Sequence, residues 1–424
     1  MKKAYFKTTL TNFFNDFKGF VSSHKKILTL YTILCLILIP ISWQQDVYDW
    51  YFVVGKLLSE GKNVYEPLNI QAIIKRGDTG RWGYPPFFLP FFSFSYVVSA
   101  FINLPFHVVY KSLVAFVNIL VAMELEKIAK SSRVVALYLF NPLIIVSTII
   151  QGFFDVLVIF LILLALKSLN KKSSATYMGL SSLCKQTAWP LIPFFLVLNL
   201  NIKWILLFMG VIIGGVVSFI VLDFHAIFEA LFMQSLRRVG IYPWEFLFEF
   251  GGLDNQLLRL VDVILIAVQL FAITLLTVII RIRLRRTSEL DKVKTIEYFL
   301  LYELIALTFV YFLIPPNPHF LSYLLFPTII LMTTYTQFKY PYVLTSVGGY
   351  VVFSINQGLR HNIFRYPVWA GPEYLAPPIY LGYYHLRLFE WIIGGCLSIV
   401  MYVAYVYAFI KIWRSDMNCT KVGD

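Results

Sequence analysis

The sequence predicts an all-α polytopic membrane protein, and three observations carry that reading. Of the 424 residues, 59% are hydrophobic and only 14% are charged, and the mean hydropathy is +0.72, a balance foreign to soluble globular domains. The apolar residues fall in repeated blocks of roughly 17 to 25, the length at which a helix crosses a hydrocarbon core of about 30 Å. Barrel strands would give segments of roughly 10 residues with alternating polarity, and none occur. The net charge of +13 comes from Lys and Arg gathered between the blocks, the pattern of basic cytoplasmic connectors and not of a nucleic-acid surface.

The elements follow in order. Residues 5–21 carry Phe6, Leu10, Phe13, Phe14, Phe17 and Val21 at helical spacing with Lys between them, as expected of a helix lying on a membrane surface and anchoring the chain there. Lys2, Lys3, Lys7, Lys18, Lys25 and Lys26 place this leader in the cytoplasm. The first span, about 27–43, then delivers Asp46 to the outer face. Residues 44–85 form a first outer loop with amphipathic helical material around Tyr51 to Leu58. The block 86–102 is either a short span or a helix half-sunk in the outer interface. Further blocks lie at about 106–123, 133–150, 154–169, 203–222, 259–280, 296–313, 319–337, 341–356 and 387–411. Segments 174–187 and 189–202 are short, and Pro190 and Pro193 sit at their bend; they are expected to form a hairpin reaching the outer half of the membrane. Alternation of these blocks puts about two thirds of the 36 Lys and Arg inside and both termini in the cytoplasm. The outer face receives the loops 44–85, 150–155, 223–258 and 357–386, with Pro315 to His319 as a short fifth.

The composition excludes several classes. The inner connectors are too short for a nucleotide-binding domain, and no Walker loop or GxGxxG motif occurs. Four cysteines, Cys35, Cys184, Cys396 and Cys419, show neither CxxC nor metal spacing. There is no HExxH motif or acidic metal cluster, so no metal and no cofactor is expected.

Ionisable groups in or beside spans are costly and mark function. Asp46 and Asp49 stand where the first span leaves the membrane, followed by Tyr48, Trp50 and Tyr51 and an amphipathic segment that would roof them. Asp155 opens an otherwise apolar span, where it is expected either to favour the helix N-terminus by its charge or to serve a second polar role. Lys185, with Gln186 and Thr187 beside it, lies amid apolar residues and needs a partner, either a ligand phosphate or a protein acid such as Asp155. His319 closes a Pro-rich outer turn. Arg360, His361 and Arg365, with Arg76, Arg81, Arg237 and Arg238, form an outer basic set suited to anionic lipid. Together these groups fit a reaction on an anionic lipid substrate at the outer leaflet, with an acid as base and cations holding a departing phosphate.

The stretches "DVYDWYFVVGKLLSEGKNVYEP" and "WGYPPFFLPF" resemble the opening of membrane glycosyltransferases of the GT-C fold, in particular the polyprenyl-phosphate-mannose-dependent mannosyltransferases that include the phosphatidylinositol mannoside enzymes. Asp46, Trp50, Tyr51, Gly61, Tyr65, Tyr84, Pro85 and Pro86 follow that family's order. "NPLIIVSTIIQGFFD", "GLSSLCKQTAWPLIP" and "PNPHFLSYLLFP" resemble its later stretches, with Lys185, Gln186 and His319 on polar positions. The similarity covers about 46–330 as scattered motifs, and residues 331–424 match none of them. The resemblance implies a GT-C-like bundle of about 11–13 transmembrane helices and metal-independent inverting transfer of a hexose, most plausibly mannose. The donor is a polyprenyl or dolichyl phosphate sugar and the acceptor a lipid or lipid-linked glycan. Asp46 is the implied base and Asp49 the possible second acid, with Lys185, His319, Arg360, Gln186, Tyr84 and Asp155 toward the donor or substrate. The domain reading is a leader at 1–26, a catalytic membrane module at 27–330, C-terminal helices at 331–411 and a tail at 412–424. The expected location is the plasma membrane of a prokaryote or the endoplasmic reticulum membrane of a eukaryote, with the site on the extracytoplasmic face. A lipid-linked oligosaccharide flippase, or a polysaccharide polymerase or ligase, is the alternative.

Overall fold

The computed structural model describes residues 2–42, 47–65, 85–169, 171–198, 201–217, 255–286, 292–313, 321–353, 396–397 and 399–412. Among these the secondary structure is helical throughout, with no strand. Helices α1 (Lys2–Ser23) and α2 (Lys25–Ile41) meet at His24 and are bent by 90° between Thr11–Ser23 and Lys25–Pro40. A π-helical turn, Val47–Phe52, runs into α3 (Val53–Ser59). Next come α4 (Leu89–Ile102), α5 (Phe106–Ala129) and α6 (Arg133–Leu139). The chain continues through α7 (Asp155–Lys167), α8 (Lys172–Cys184), α9 (Ile192–Leu198) and α10 (Ile202–Val217). Helices α11 (Asn255–Arg286), α12 (Lys292–Leu313), α13 (Ser322–Thr334) and α14 (Ile399–Ile412) follow.

By length and composition, Phe106–Ala129 alone is sufficient to cross a membrane, and counting each bent pair as one span raises the number to three among the described residues. The block expected as one span at 133–150 is such a pair. Helix α6 stops at Leu139, Asn141 accepts from the backbone N–H of Leu143 and Ile144, and the chain restarts with Pro142 and a π turn, Ile145–Ile150, bent by 43°. Asn caps the new helix and Pro fits its first turn, where no N–H is needed. The 174–187 and 189–202 pair breaks at Lys185 and continues as a 3₁₀ turn, Gln186–Leu191, holding Pro190, before α9. The expected hairpin had its bend at Pro190 and Pro193, whereas the helix ends earlier, at Lys185.

Side-chain bonds define the two ends of the bundle. At one end Lys127 of α5 lies 2.8 Å from Asp16 of α1, and Lys167 of α7 donates to the buried Glu124 of α5. His24 Nε2 stands 2.8 Å from Glu126. The same pattern ties the ends of α9 and α11 through Arg281 and the carbonyl of Val197, and brings Tyr335, just past α13, to Glu297 near the start of α12. At the other end the finish of α2, the starts of α5, α7 and α13, and the finish of α8 converge on the groups described below.

Between the ends, around α5, uncharged polar groups bond one another, while on α12 the fully buried Glu303 carboxyl makes no hydrogen bond among the described residues. Asn118 of α5 donates to Thr148 and accepts from Tyr138. Such bonds join helices in an apolar surrounding. The boundary drawn at 330 cuts through α13, and residues beyond it are bound into the same body. Asn141 donates to Ser346, Tyr342 donates to the Leu137 carbonyl, and Tyr405 bonds both Thr328 and Thr345.

Helix α3 lies against α4 so closely that a Cβ on Gly55 would meet the Phe92 carbonyl oxygen at 2.5 Å. Because backbone cannot yield as a side chain does, Gly55→Ala is expected to lower stability by about 1–3 kcal/mol, read as a lower melting temperature in detergent; an unchanged value would mean that α3 is not seated on α4. The hydrogen bond and charge of Lys127 hold the Asp16 carboxyl below its usual range. A carboxyl depressed on folding contributes stability that is complete above its free value of about 3.9 and is lost as the pH falls through the folded value. The distance between spin labels at exposed Asn12 and Lys130 should therefore hold from neutral pH to about pH 5 and lengthen only below about pH 4.

Candidate functional site

The end of the bundle opposite the Asp16 and Lys127 clip holds a buried polar cluster assembled from three chain breaks. The first break follows the π turn Ile145–Ile150. Gly152 adopts φ +76°, a conformation that side chains other than glycine's resist, and reverses the chain so that Asp155 becomes the first residue of α7. The second is the end of α8, where Lys185 takes an extended backbone, φ −160° and ψ 145°, and the 3₁₀ turn that follows is pinned by Trp189 Nε1 donating to the Ser182 carbonyl. The third is the start of α13, which presents Tyr323.

Lys185 Nζ donates to both Asp155 oxygens, at 2.8 and 3.0 Å. Tyr323 donates its hydroxyl to Asp155 Oδ1 at 2.8 Å and accepts from Thr187 Oγ1 at 2.8 Å. Asp155 and Lys185 are each 2% exposed. An ion pair so removed from water persists because attraction and hydrogen bonds offset the cost of stripping both charges of solvent. Asp155 also keeps the favourable position at a helix N-terminus, so the two expectations for it coexist. Lys185 has found the protein acid, and its charge is compensated within the chain.

Aromatic rings close over this pair. The Phe154 ring centre lies 5.1 Å from Lys185 Nζ, within cation–π range. Phe154 stacks on Phe88 at 4.3 Å and meets Tyr51 edge-on at 5.8 Å. Tyr51 stacks on Phe92 at 4.7 Å, and Tyr110 stacks on Phe106 at 5.7 Å with its hydroxyl unbonded among the described residues. Of the aromatic run expected to roof Asp46 and Asp49, Tyr51 packs into this ring cluster, and the side chains of both acids lie outside the described residues.

A second lysine shares that end. Lys111 of α5 is fully buried and donates to the Ser42 carbonyl at 2.9 Å, to Ser42 Oγ at 3.1 Å and to the carbonyl of Ile150. Three donors meet three acceptors, and the two carbonyls come from the C-terminal ends of α2 and of the π turn, where helix dipoles are negative.

Asp46, Tyr84, His319 and Arg360 lie outside the described residues. The backbone of Asp49 falls in the π turn Val47–Phe52, while its side chain is outside the described set. Gln186 is half-buried at the start of the 3₁₀ turn. Of the expected site residues, the structure thus brings Asp155 and Lys185 together and sets Gln186 beside them in the chain. Sequence reasoning missed Lys111 and Tyr323. The signal for Lys111 was present, a lone cation in a long apolar helix; a tyrosine among many gives none. Among the described residues no three His, Cys, Asp or Glu side chains converge. No family model and no curated protein matches the chain.

Removing one member of the buried pair strands the other, at a cost of about 3–5 kcal/mol. Asp155→Leu and Lys185→Met should each lower the melting temperature sharply, and the double variant should recover most of the loss. Additive losses in the double variant would show that the two side chains are not coupled.

Proposed function

We propose that this chain is a polytopic membrane glycosyltransferase acting at its extracytoplasmic face, moving a hexose from a polyprenyl phosphate carrier to a lipid or lipid-linked acceptor. Mannose is the sugar that best fits the motif order. The observation that carries the reading is the buried cluster of Asp155, Lys185 and Tyr323 under an aromatic lid, at the end of the bundle where α2 finishes and Lys111 is buried.

Helix lengths support a recessed site. Helix α7 has 13 residues and rises roughly 20 Å, short of a hydrocarbon core of about 30 Å. With Lys167 and its basic neighbours at the inner surface, Asp155 sits roughly 10 Å beneath the outer one. A floor at that depth suits a substrate whose phosphate and sugar stay near the head groups while its isoprenoid chain remains in lipid.

In this reading Asp46 takes the proton of the acceptor hydroxyl as that oxygen attacks the anomeric carbon and the carrier phosphate departs with the electrons of the broken bond. His319 and Arg360 hold the growing phosphate charge. The Asp155 and Lys185 pair, already neutral as a unit, fixes the breaks that frame the site and carries no step itself.

The test is purified protein with radiolabelled polyprenyl phosphate mannose and membrane lipid extract. Label should enter lipid with wild-type protein and fall by at least about a hundredfold in Asp46→Asn, consistent with loss of a general base, while the folded fraction is unchanged. Full activity in Asp46→Asn would remove the assignment, and label crossing sealed vesicles without transfer would establish transport.

A further inference from the structure

The end of the bundle opposite the candidate site carries a surface that the transferase reading does not use. Helix α1 turns by 90° from α2, so if α2 stands across a membrane, α1 runs along its surface. One face of α1 is seated on the protein: Phe13 and Phe17 stack at 6.4 Å, Phe17 meets Phe116 of α5 at 5.9 Å, and Phe20 is buried. A second row, Phe14, Lys18, Val21 and Lys25, is exposed, with Phe14 at 59%. Phe14, Lys18 and Val21 follow helical spacing along one stripe of α1, and Lys25 is the first residue of α2, just past the bend. The stripe ends at the corner from which α2 departs with its own exposed apolar row, Leu30, Ile33, Leu36 and Ile37.

Exposed apolar side chains stand on both sides of the bend, Phe14 and Val21 before it and Leu30 after it, so one solvent meets both helices. For α2 that solvent is lipid, so the same lipid meets the exposed row of α1. The charges favour a particular kind. Residues 1–26 hold six lysines and a single acid, Asp16. Asp16 is taken by Lys127, Glu124 by Lys127 and Lys167, and Glu126 by His24. Lys18, Lys25 and Lys26 are exposed and form no ion pair among the described residues. The acids of this end are spent on holding α1 in place, and the lysines flanking Phe14 and Val21 are left for anions outside the chain.

We propose that the row Phe14, Lys18, Val21 and Lys25 docks α1 on anionic phospholipid head groups of the membrane that the chain spans. The Phe14 and Val21 side chains enter the boundary of the acyl region while the lysines lie among the phosphates, the arrangement of an amphipathic interfacial helix. Each lysine at such a surface changes the binding equilibrium roughly fivefold at moderate ionic strength, and salt screens it over about 10 Å. The proposal is independent of which reaction the opposite end performs.

The full-length protein is the test object. A fluorophore sensitive to polarity is placed on Phe14→Cys, with Cys396 and Cys419 replaced and buried Cys35 and Cys184 kept, in vesicles of phosphatidylcholine with or without phosphatidylglycerol. Emission should shift to the blue and be quenched by bilayer nitroxides when phosphatidylglycerol is present. Lys18→Gln with Lys25→Gln should weaken that response at least tenfold, and high salt should reduce it. A label that stays in water in both compositions overturns the proposal, as does equal burial in both that ignores the lysine changes. Burial in neutral detergent that rises with protein concentration would assign the row to a second copy of the chain instead. The spin-label distance between residues 12 and 130 separates these outcomes from unfolding of α1, since the docked helix keeps it.

Discussion

A lysine ammonium deprived of water must be given oxygen, and in this protein that requirement decides which helix ends meet. Lys185 takes both oxygens of Asp155, and the remaining strength of that carboxylate is used by Tyr323. Three elements far apart in the chain are thereby fixed within hydrogen-bond distance of one another. In water such a pair would contribute little; in a dry interior its members cannot be separated without stranding a charge. Lys111 performs the same service for α2 and the π turn Ile145–Ile150, using backbone carbonyls in place of a carboxylate.

The two buried lysines and the opposite belt of Asp16, Glu124, Lys127 and Lys167 bracket a layer with different chemistry. From Lys111 to Glu124 one helix rises roughly 20 Å, and the polar contacts of that interval are among neutral groups, Asn118, Thr148 and Tyr138. Along this stretch of α5, charge at the ends and amide or hydroxyl bonding between them is the distribution that costs least in an apolar surrounding. It also explains why the helices at the candidate site can be short and broken. Lys111 donates to the carbonyls of Ser42 and Ile150, so those two helix ends are satisfied inside the protein.

Much of this was legible in the residues. A cation amid apolar residues needs a counter-charge, which left Lys185 open to Asp155 or to a ligand phosphate, and the break near Pro190 and Pro193 falls ahead of both prolines, at Lys185. The interruption at Asn141 and Pro142 was also written in the chain, as a capping residue before a helix-starting proline, yet the apolar run from 133 to 150 concealed it. Hydropathy averages over a window and is blind to a turn that stays apolar. Tyr323 and the Thr187 bond behind it were not legible, because nothing local distinguishes one tyrosine of 27 from another.

The sequence by itself determined the helical class, the two ends of the bundle and the charges each end must accommodate, since these depend on length, periodicity and the energy of a charge in hydrocarbon. Which helix ends share an end of the bundle was already implied by alternation, but which side chains touch there was not. Only the tertiary structure decided that Lys185 is closed by Asp155 and Tyr323, that Lys111 draws together two helix termini, and that Tyr51, Phe88 and Phe154 lie over the pair. The reason is that a chain's local pattern sets what a residue needs, whereas the partner that meets the need comes from a helix distant in sequence, selected by packing.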